Sequence, residues 1–357
     1  MKNVFASRRG IIGAGLIIGL IAAVLQKLGN PGNMGLCMAC FERDTAGAIG
    51  LHSVGALQYV RPEIVGICLG ALAMALASGE FRARGGSSAA VRFFLGVFAM
   101  IGALVFLGCP WRAFLRLAGG DLNALLGIGG LAVGVGIGAQ FLRRGYSLGR
   151  ARVVEGAPLN GYMLPAFLAA LLLLSVFGFS KLGPDVGEKM APHAPLWISL
   201  VGGLVVGVVA QRSRFCTMGA LRDVFIVRDI HLLSGVLAFT VAALALNLVF
   251  GSFKLGFEGQ PAAHTEHLWN ALGMALAGLC FVLAGGCPGR QIILAGEGDG
   301  DSAVFVLGMI VGAGFAHNFG LASSGKGAGP FGPAAVVVGL VFCLVVAVVM
   351  TRKGGRA

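Results

Sequence analysis

The sequence predicts an all-α integral membrane protein: about ten transmembrane helices plus four short re-entrant or half helices, arranged as two inverted-topology repeats around a central pathway. Three observations lead there. Mean hydropathy is +0.88 with only 12% charged residues, apolar runs recur at the length a bilayer requires, and one Cys-Pro break occurs twice. A soluble core has no use for 57% hydrophobic side chains over 357 residues. The 60 glycines follow no Gly-X-Y period, which excludes a collagen-like chain. In apolar stretches such as Gly127-Ile128-Gly129-Gly130 they let helices approach closely. A net charge of +12 raises the question of nucleic acid, but the basic residues flank apolar segments and no aromatic-basic module accompanies them. The expected partner is the lipid bilayer.

A bilayer span takes about 20 apolar residues. By that rule the segments are 11–28, 62–79, 89–108, 122–142, 162–180, 196–211, 231–252, 268–286, 302–322 and 332–350. The first follows the basic stretch Met1 to Arg9 but runs into Gln26-Lys27 without a small-residue cleavage site, so it reads as a membrane helix and not as a removed signal. Strict alternation from a cytoplasmic start puts Arg82, Arg84, Arg92, Arg143, Arg144, Arg150, Arg152, Arg212, Arg214, Arg222, Arg228, Arg290, Arg352, Lys353 and Arg356 on the inner side with Lys2, Arg8 and Arg9. That places 18 of the 27 basic residues inside, as the positive-inside rule requires. Lys181, Lys189, Lys254 and Lys326 fall in outer loops. Both termini are then cytoplasmic.

The break is Gly108-Cys109-Pro110-Trp111-Arg112, continuing to Gly120-Asp121. It recurs 178 positions later as Gly286-Cys287-Pro288-Gly289-Arg290, continuing to Gly298-Asp299. Proline suits the first helical position, where its missing N–H is no loss, so Cys109 and Cys287 become N-caps of short helices. Free N–H groups and the positive dipole end favour an anion there. A second motif also repeats, at an offset of 179: Cys37, Arg43, Asp44 and His52 match Cys216, Arg222, Asp223 and His231, whereas Cys40 faces Gly219. Short helices are expected to begin near 37, 109, 216 and 287. Each Arg-Asp neighbour pair reads as a local clamp, since charges at membrane depth face one another or a wet cavity.

The supporting residues are Cys40, Arg43, Asp44, Arg112, Asp121, Arg222, Asp223, Arg290 and Asp299. Gln140 and Asn318 are repeat equivalents that either line a path or bond across helices. The four aspartates fit helix caps and proton carriers alike. Cys68, Cys280 and Cys343 lie mid-span and read as packing residues. The organisation is a first transmembrane repeat at 11–142; a cytoplasmic linker, extra helix and outer loop at 143–195; a second, inverted repeat at 196–322; and a final helix with a basic tail at 323–357. The extra span at 162–180 brings the second repeat into the membrane the opposite way round, so that Cys37 and Cys109 approach from outside, Cys216 and Cys287 from inside. In such architecture broken helices meet near the midplane with their N-termini toward an anionic substrate.

The stretch Gln211-Arg212-Ser213-Arg214-Phe215-Cys216-Thr217-Met218-Gly219-Ala220, with Gly285-Gly286-Cys287-Pro288-Gly289-Arg290, resembles the YeeE/YedE family of bacterial sulfur-species transporters, whose best-understood members import thiosulfate. Asn30 to Asp44 and Leu107 to Arg112 look like the YedE branch associated with selenium metabolism. The resemblance implies an hourglass-shaped inner-membrane uptake protein in which cysteines hand a thio-anion inward through S–H hydrogen bonds. Cys109, Cys216 and Cys287 match the family's pathway cysteines, with Cys37 the equivalent position in the first half. It also implies a small cytosolic sulfurtransferase-like partner, but no enzyme activity, cofactor or metal. Independently, four thiols at repeat-equivalent sites favour a soft sulfur or selenium anion over a hard oxyanion. The rival reading is a membrane thiol-disulfide oxidoreductase built on the Cys37-x-x-Cys40 spacing; without a βαβ context that spacing is a weak signal.

Overall fold

The computed structural model describes residues 4–149, 151–153, 158–178 and 192–354. Arg150, Lys181, Lys189, Arg356 and the end of the 162–180 span lie outside them. The helices in chain order are α1 (Arg8–Lys27), α2 (Met38–Ala48), α3 (Pro62–Ala77), α4 (Ala89–Phe106), α5 (Pro110–Ala118), α6 (Asn123–Arg143), α7 (Met163–Val176), α8 (Leu196–Ser213), α9 (Thr217–Val227), α10 (His231–Val249), α11 (His267–Ala284), α12 (Pro288–Gly296), α13 (Gly300–Asn318) and α14 (Gly332–Gly354). Ten segments among the described residues are long and apolar enough to cross a bilayer. The chain is an all-α, multi-pass membrane protein. Two spans end earlier than the apolar runs suggest, because Gly251 (φ 66°) and Gly320 (φ 65°) turn the chain left-handed just beyond α10 and α13.

One feature is absent from the sequence reading. A two-residue strand, β1 (Arg84–Gly85), pairs antiparallel with β2 (Arg152–Val153) and so links the α3–α4 loop to the stretch after α6.

The long helices pack in crossed pairs: α1 on α10, α3 on α8, α4 on α13 and α6 on α11, with α4 also against α11. Glycine lets the backbones touch. Gly15 abuts the Gly235 carbonyl and Gly19 that of Phe239; Gly203 abuts Glu63 and Gly207 abuts Ile67. Gly130 and Gly134 meet Ala271 and Ala275, while Gly308 and Gly312 meet Phe93 and Val97. In every pair both numbers rise together, so the partners run parallel. The core is therefore made of main-chain contacts at small residues.

The outer surface is apolar where lipid would lie. Val337, Val341 and Val345 form one exposed face of α14, and Leu237, Val241 and Leu248 one of α10.

A direct test of this packing uses two glycines of α1. Gly13 has open space where a Cβ would be, whereas a Cβ on Gly15 would strike the Gly235 carbonyl. Gly15→Val is expected to lose about 3 kcal/mol or more of stability through overpacking, and Gly13→Val to lose none of that. Unfolding of the two purified variants in detergent checks it; equal stability would remove the close-packed account.

Loops of each half strap the short helix of the other. Arg82 N–H and Arg84 N–H donate to the carbonyls of Glu297 and Gly298 beyond α12, at 3.0 and 3.1 Å. Lys254 N–H and Gly256 N–H donate to those of Gly119 and Gly120 beyond α5, at 2.9 and 3.0 Å. Outside the spans, Glu80 ties the end of α3 to that of α8 by accepting from Gln211 and Arg212 at 2.8 and 2.9 Å. Partial burial raises its carboxyl pKa, but Gln211, Arg214 and Arg212 outweigh this and hold it below the ordinary value.

Candidate functional site

Each half of the chain builds its part of the site from two helix starts. Cys37 is the N-cap of α2, and its Sγ accepts from Cys40 N–H at 3.3 Å; Cys216 caps α9 by accepting from Gly219 N–H at 3.2 Å. Sulfur here does what a serine or aspartate oxygen usually does. Cys109 and Cys287 occupy the N-cap positions of α5 and α12, with Pro110 and Pro288 following at the first helical residue. The Cys109 thiol makes no capping bond to its own helix. The preceding helices close at Leu107 (φ 65°) and Gly285 (φ 91°) in the left-handed region, which lets the chain restart as a short helix at once.

The four thiols assemble as two pairs. Cys37 and Cys109 lie 3.8 Å apart, sulfur to sulfur. Cys216 and Cys287 are neighbours at the starts of α9 and α12, with Thr217 and the main chain of Arg290 beside the Cys287 thiol. All four are buried. The halves touch here as well, since α5 packs on α9 and α12 on α2. Trp111, on the first turn of α5, leans on Gly289, on the first turn of α12: a Cβ on Gly289 would stand 3.0 Å from the indole ring. Four positive helix ends thus point into one small region, a setting that favours an anion.

The supporting residues divide. Arg112 is wholly buried and ion-pairs with no carboxylate among the described residues. It donates instead to Cys40 Sγ at 3.5 Å and to the carbonyls of Leu107, Asn33, Pro261 and Ala262. Its charge therefore stays uncompensated beside the first thiol pair. Arg290 pairs with Glu297 at 3.2 Å. The neighbour clamps form: Arg43 holds Asp44 at 2.7 Å, and Arg222 holds Asp223 at 2.8 Å on a more exposed surface. Asp44 also takes Arg61 at 2.6 Å, which makes the first clamp a triad.

Asp121 and Asp299 occupy equivalent places beyond α5 and α12. Asp121 pairs with Arg116 at 2.6 Å and accepts from Asn123 N–H; Asp299 pairs with Arg84 at 2.9 Å and caps α13 through Ser302 N–H. Gln140 and Asn318 are exposed helix-end residues, apart from the thiols, and Asn318 Nδ2 donates to the Leu51 carbonyl at 2.9 Å. His52 and His231 differ: His52 is buried on the Arg43 carbonyl, whereas His231 opens α10 half-exposed. Cys68 is buried, and Cys280 and Cys343 form a thiol contact of 3.3 Å that no repeat spacing predicts.

Sequence reasoning missed Arg61, Arg116, Glu42 and Trp111. Arg116 lies one turn after Arg112, a spacing that puts both on one helix face. Glu42 is buried in α2 with both carboxylate oxygens unpartnered, and Leu221 stands opposite it in the second motif. The cue for Trp111 was the same kind of repeat mismatch, an indole facing a glycine.

The family comparison falls on the second half. Residues 212–353 match the family described as sulphur transport. A stretch of 103 residues, 29% of this chain, is 33% identical to a thiosulfate transporter, TsuA, of Spirochaeta thermophila, covering 31% of that protein. Another of 100 residues, 28% of this chain, is 35% identical to the TsuA thiosulfate transporter of Escherichia coli and covers 28% of it. The matches thus span less than a third of either relative. Both relatives are named as transporters, which gives the oxidoreductase reading of Cys37 and Cys40 no support. The stretch that matches the sulphur transport family holds Cys216 and Cys287, two of the cysteines on which the motif resemblance rests.

Proposed function

We propose that this protein is an uptake transporter of the bacterial cytoplasmic membrane for a soft sulfur- or selenium-containing anion, thiosulfate or a selenium species. The observation that carries the reading is the pairing of four N-cap thiols, Cys37 with Cys109 and Cys216 with Cys287, at four short-helix starts. A weak S–H donor suits a large, polarisable sulfur or selenium atom. The converging N–H groups and the Arg112 guanidinium supply the opposing charge.

In this reading residues 11–142 and 196–322 are inverted repeats. Exchanging the halves turns the α1–α10 pair into α8–α3 and the α6–α11 pair into α13–α4, so the packing pattern maps onto itself. With α1 parallel to α10 and α3 to α8, and with α1 and α3 crossing in opposite directions as successive spans, α8 opposes α1, as an inverted repeat requires. The substrate enters on the Cys37–Cys109 side and leaves on the Cys216–Cys287 side, toward the cytoplasm that holds both termini. Residues 143–195 and 323–357 are additions to the repeated core. A sulfurtransferase-like cytosolic protein would be a fitting acceptor at the inner mouth. No group in the relay forms a covalent bond to the substrate; each step exchanges one S–H hydrogen bond for the next.

The test is uptake by vesicles carrying the purified protein, supplied in turn with labelled thiosulfate and labelled selenium anions. Saturable uptake of at least one of these, competed poorly by sulfate, is the expected result. Uptake no faster than in empty vesicles for all of them would sink the proposal.

A further inference from the structure

We infer that the indole N–H of Trp111 is a substrate contact: a hydrogen-bond donor that the oxygen-bearing end of the anion takes as its sulfur passes between the two thiol pairs. The inference rests on the transport reading above and adds a specificity-determining residue to it.

Trp111 is fully buried, and its Nε1 has no hydrogen-bond partner. Leaving a buried donor unpaired is costly, and indoles buried in proteins usually find an acceptor. The ring itself is fixed: Phe215 meets it edge-on with centroids 5.2 Å apart, and Phe239 lies at 6.0 Å. Phe215 directly precedes Cys216, so the indole is held against the second thiol pair although it belongs to the first half.

The nitrogen faces the start of α12, where a Cβ on Gly289 would be 3.2 Å from Nε1. Gly289 follows Cys287 and Pro288, and its N–H is one of the donors that a helix start leaves without an intrahelical partner. The unpaired indole N–H thus lies beside the helix start that carries the Cys287 thiol and this backbone N–H. Thiosulfate matches that set, with one soft sulfur for the thiol and oxygens for the N–H groups.

The repeat accounts for the geometry. At the position equivalent to Trp111 the second half has Gly289, and the indole fills the room that its missing side chain leaves. Two tryptophans could not both fit at this contact. The donor is thus supplied once, on the border between the halves, where the anion leaves one thiol pair for the other.

The chain has 3 tryptophans, so Trp197→Phe with Trp269→Phe makes Trp111 the sole reporter without altering it. Thiosulfate added to this protein in detergent is expected to change the Trp111 emission saturably, while chloride at matched ionic strength does not. Trp111→Phe keeps the ring and its packing but removes the N–H. It is expected to raise the half-saturating thiosulfate concentration about tenfold, the effect of losing one hydrogen bond to a charged acceptor, with the maximal rate little changed. An unresponsive emission together with an unchanged half-saturation in Trp111→Phe would overturn the inference. Should the wild type itself fail to transport, it is the proposed function that falls; an active wild type with an indifferent Trp111→Phe refutes the role of the indole alone.

Discussion

Replacing Cys287 with alanine is expected to abolish thiosulfate uptake while the protein remains in the membrane at wild-type amounts. The thiol sits between Cys216, Thr217 and the N–H of Arg290, where two helix starts meet. Its loss breaks the second thiol pair and leaves Cys216 as the single soft donor at that point. The structural cost is small, because Pro288 at the first helical residue already sets the helical turn. Truncating a small buried side chain costs about 1 kcal/mol, too little to unfold the chain. Cys109→Ala should behave alike, since the Cys109 thiol meets that of Cys37 and makes no capping bond. Cys68→Ala is the control: the residue is equally buried, its thiol meets no other thiol among the described residues, and uptake should persist. Uptake of labelled thiosulfate, normalised to the membrane-inserted protein, decides. Near-normal transport by both Cys109→Ala and Cys287→Ala would remove the relay.

That these four cysteines stand at helix starts was legible in the sequence because the signals are local. Pro110 and Pro288 mark a first helical residue by lacking an N–H, and the duplication at fixed spacing turns a common dipeptide into a specific sign. The spans were legible for the same reason, since a bilayer sets their length. Pairing was not. That Cys37 meets Cys109, across 72 positions of chain, depends on how α2 and α5 pack, and no periodicity carries that information. The buried charges show the limit well. Arg43 and Asp44 could be paired by adjacency, but Arg61 joins Asp44 from the far side of a loop and Arg84 reaches Asp299 from the other half of the chain. Gln140 and Asn318 fail in the opposite direction: their equivalence in the repeat is real, yet both sit at exposed helix ends away from the thiols. The sequence repeat points to shared positions, and it is silent where the two copies differ, as Trp111 and Gly289 do.

Neutralising Asp121 alone should damage the protein far more than removing its ion pair altogether. Arg116 and Asp121 are both fully buried, with Nε and Oδ2 2.6 Å apart, and the guanidinium also donates to the Phe106 carbonyl at 2.7 Å. It lies over the Phe106 ring as well, 4.2 Å from its centroid. In Asp121→Asn the carbonyl and the ring remain, but neither carries a full negative charge, and an isolated buried cation is what a membrane interior tolerates least. The expected loss is about 3–5 kcal/mol, the usual result of breaking a buried pair from one side. The same substitution weakens the acceptor that receives Asn123 N–H at 2.9 Å and holds the start of α6 beside the strap from Gly256. Adding Arg116→Met removes the stranded charge and keeps an apolar side chain of similar length over Phe106. The double variant should therefore recover most of the lost stability, since well-packed apolar replacements of buried pairs are often neutral or better. Equilibrium unfolding of wild type, Asp121→Asn and the double variant in one detergent reads the difference. If the single variant matched the wild type, or the double variant were no more stable than the single one, the charge would not be the reason these two residues face each other beneath the first thiol pair.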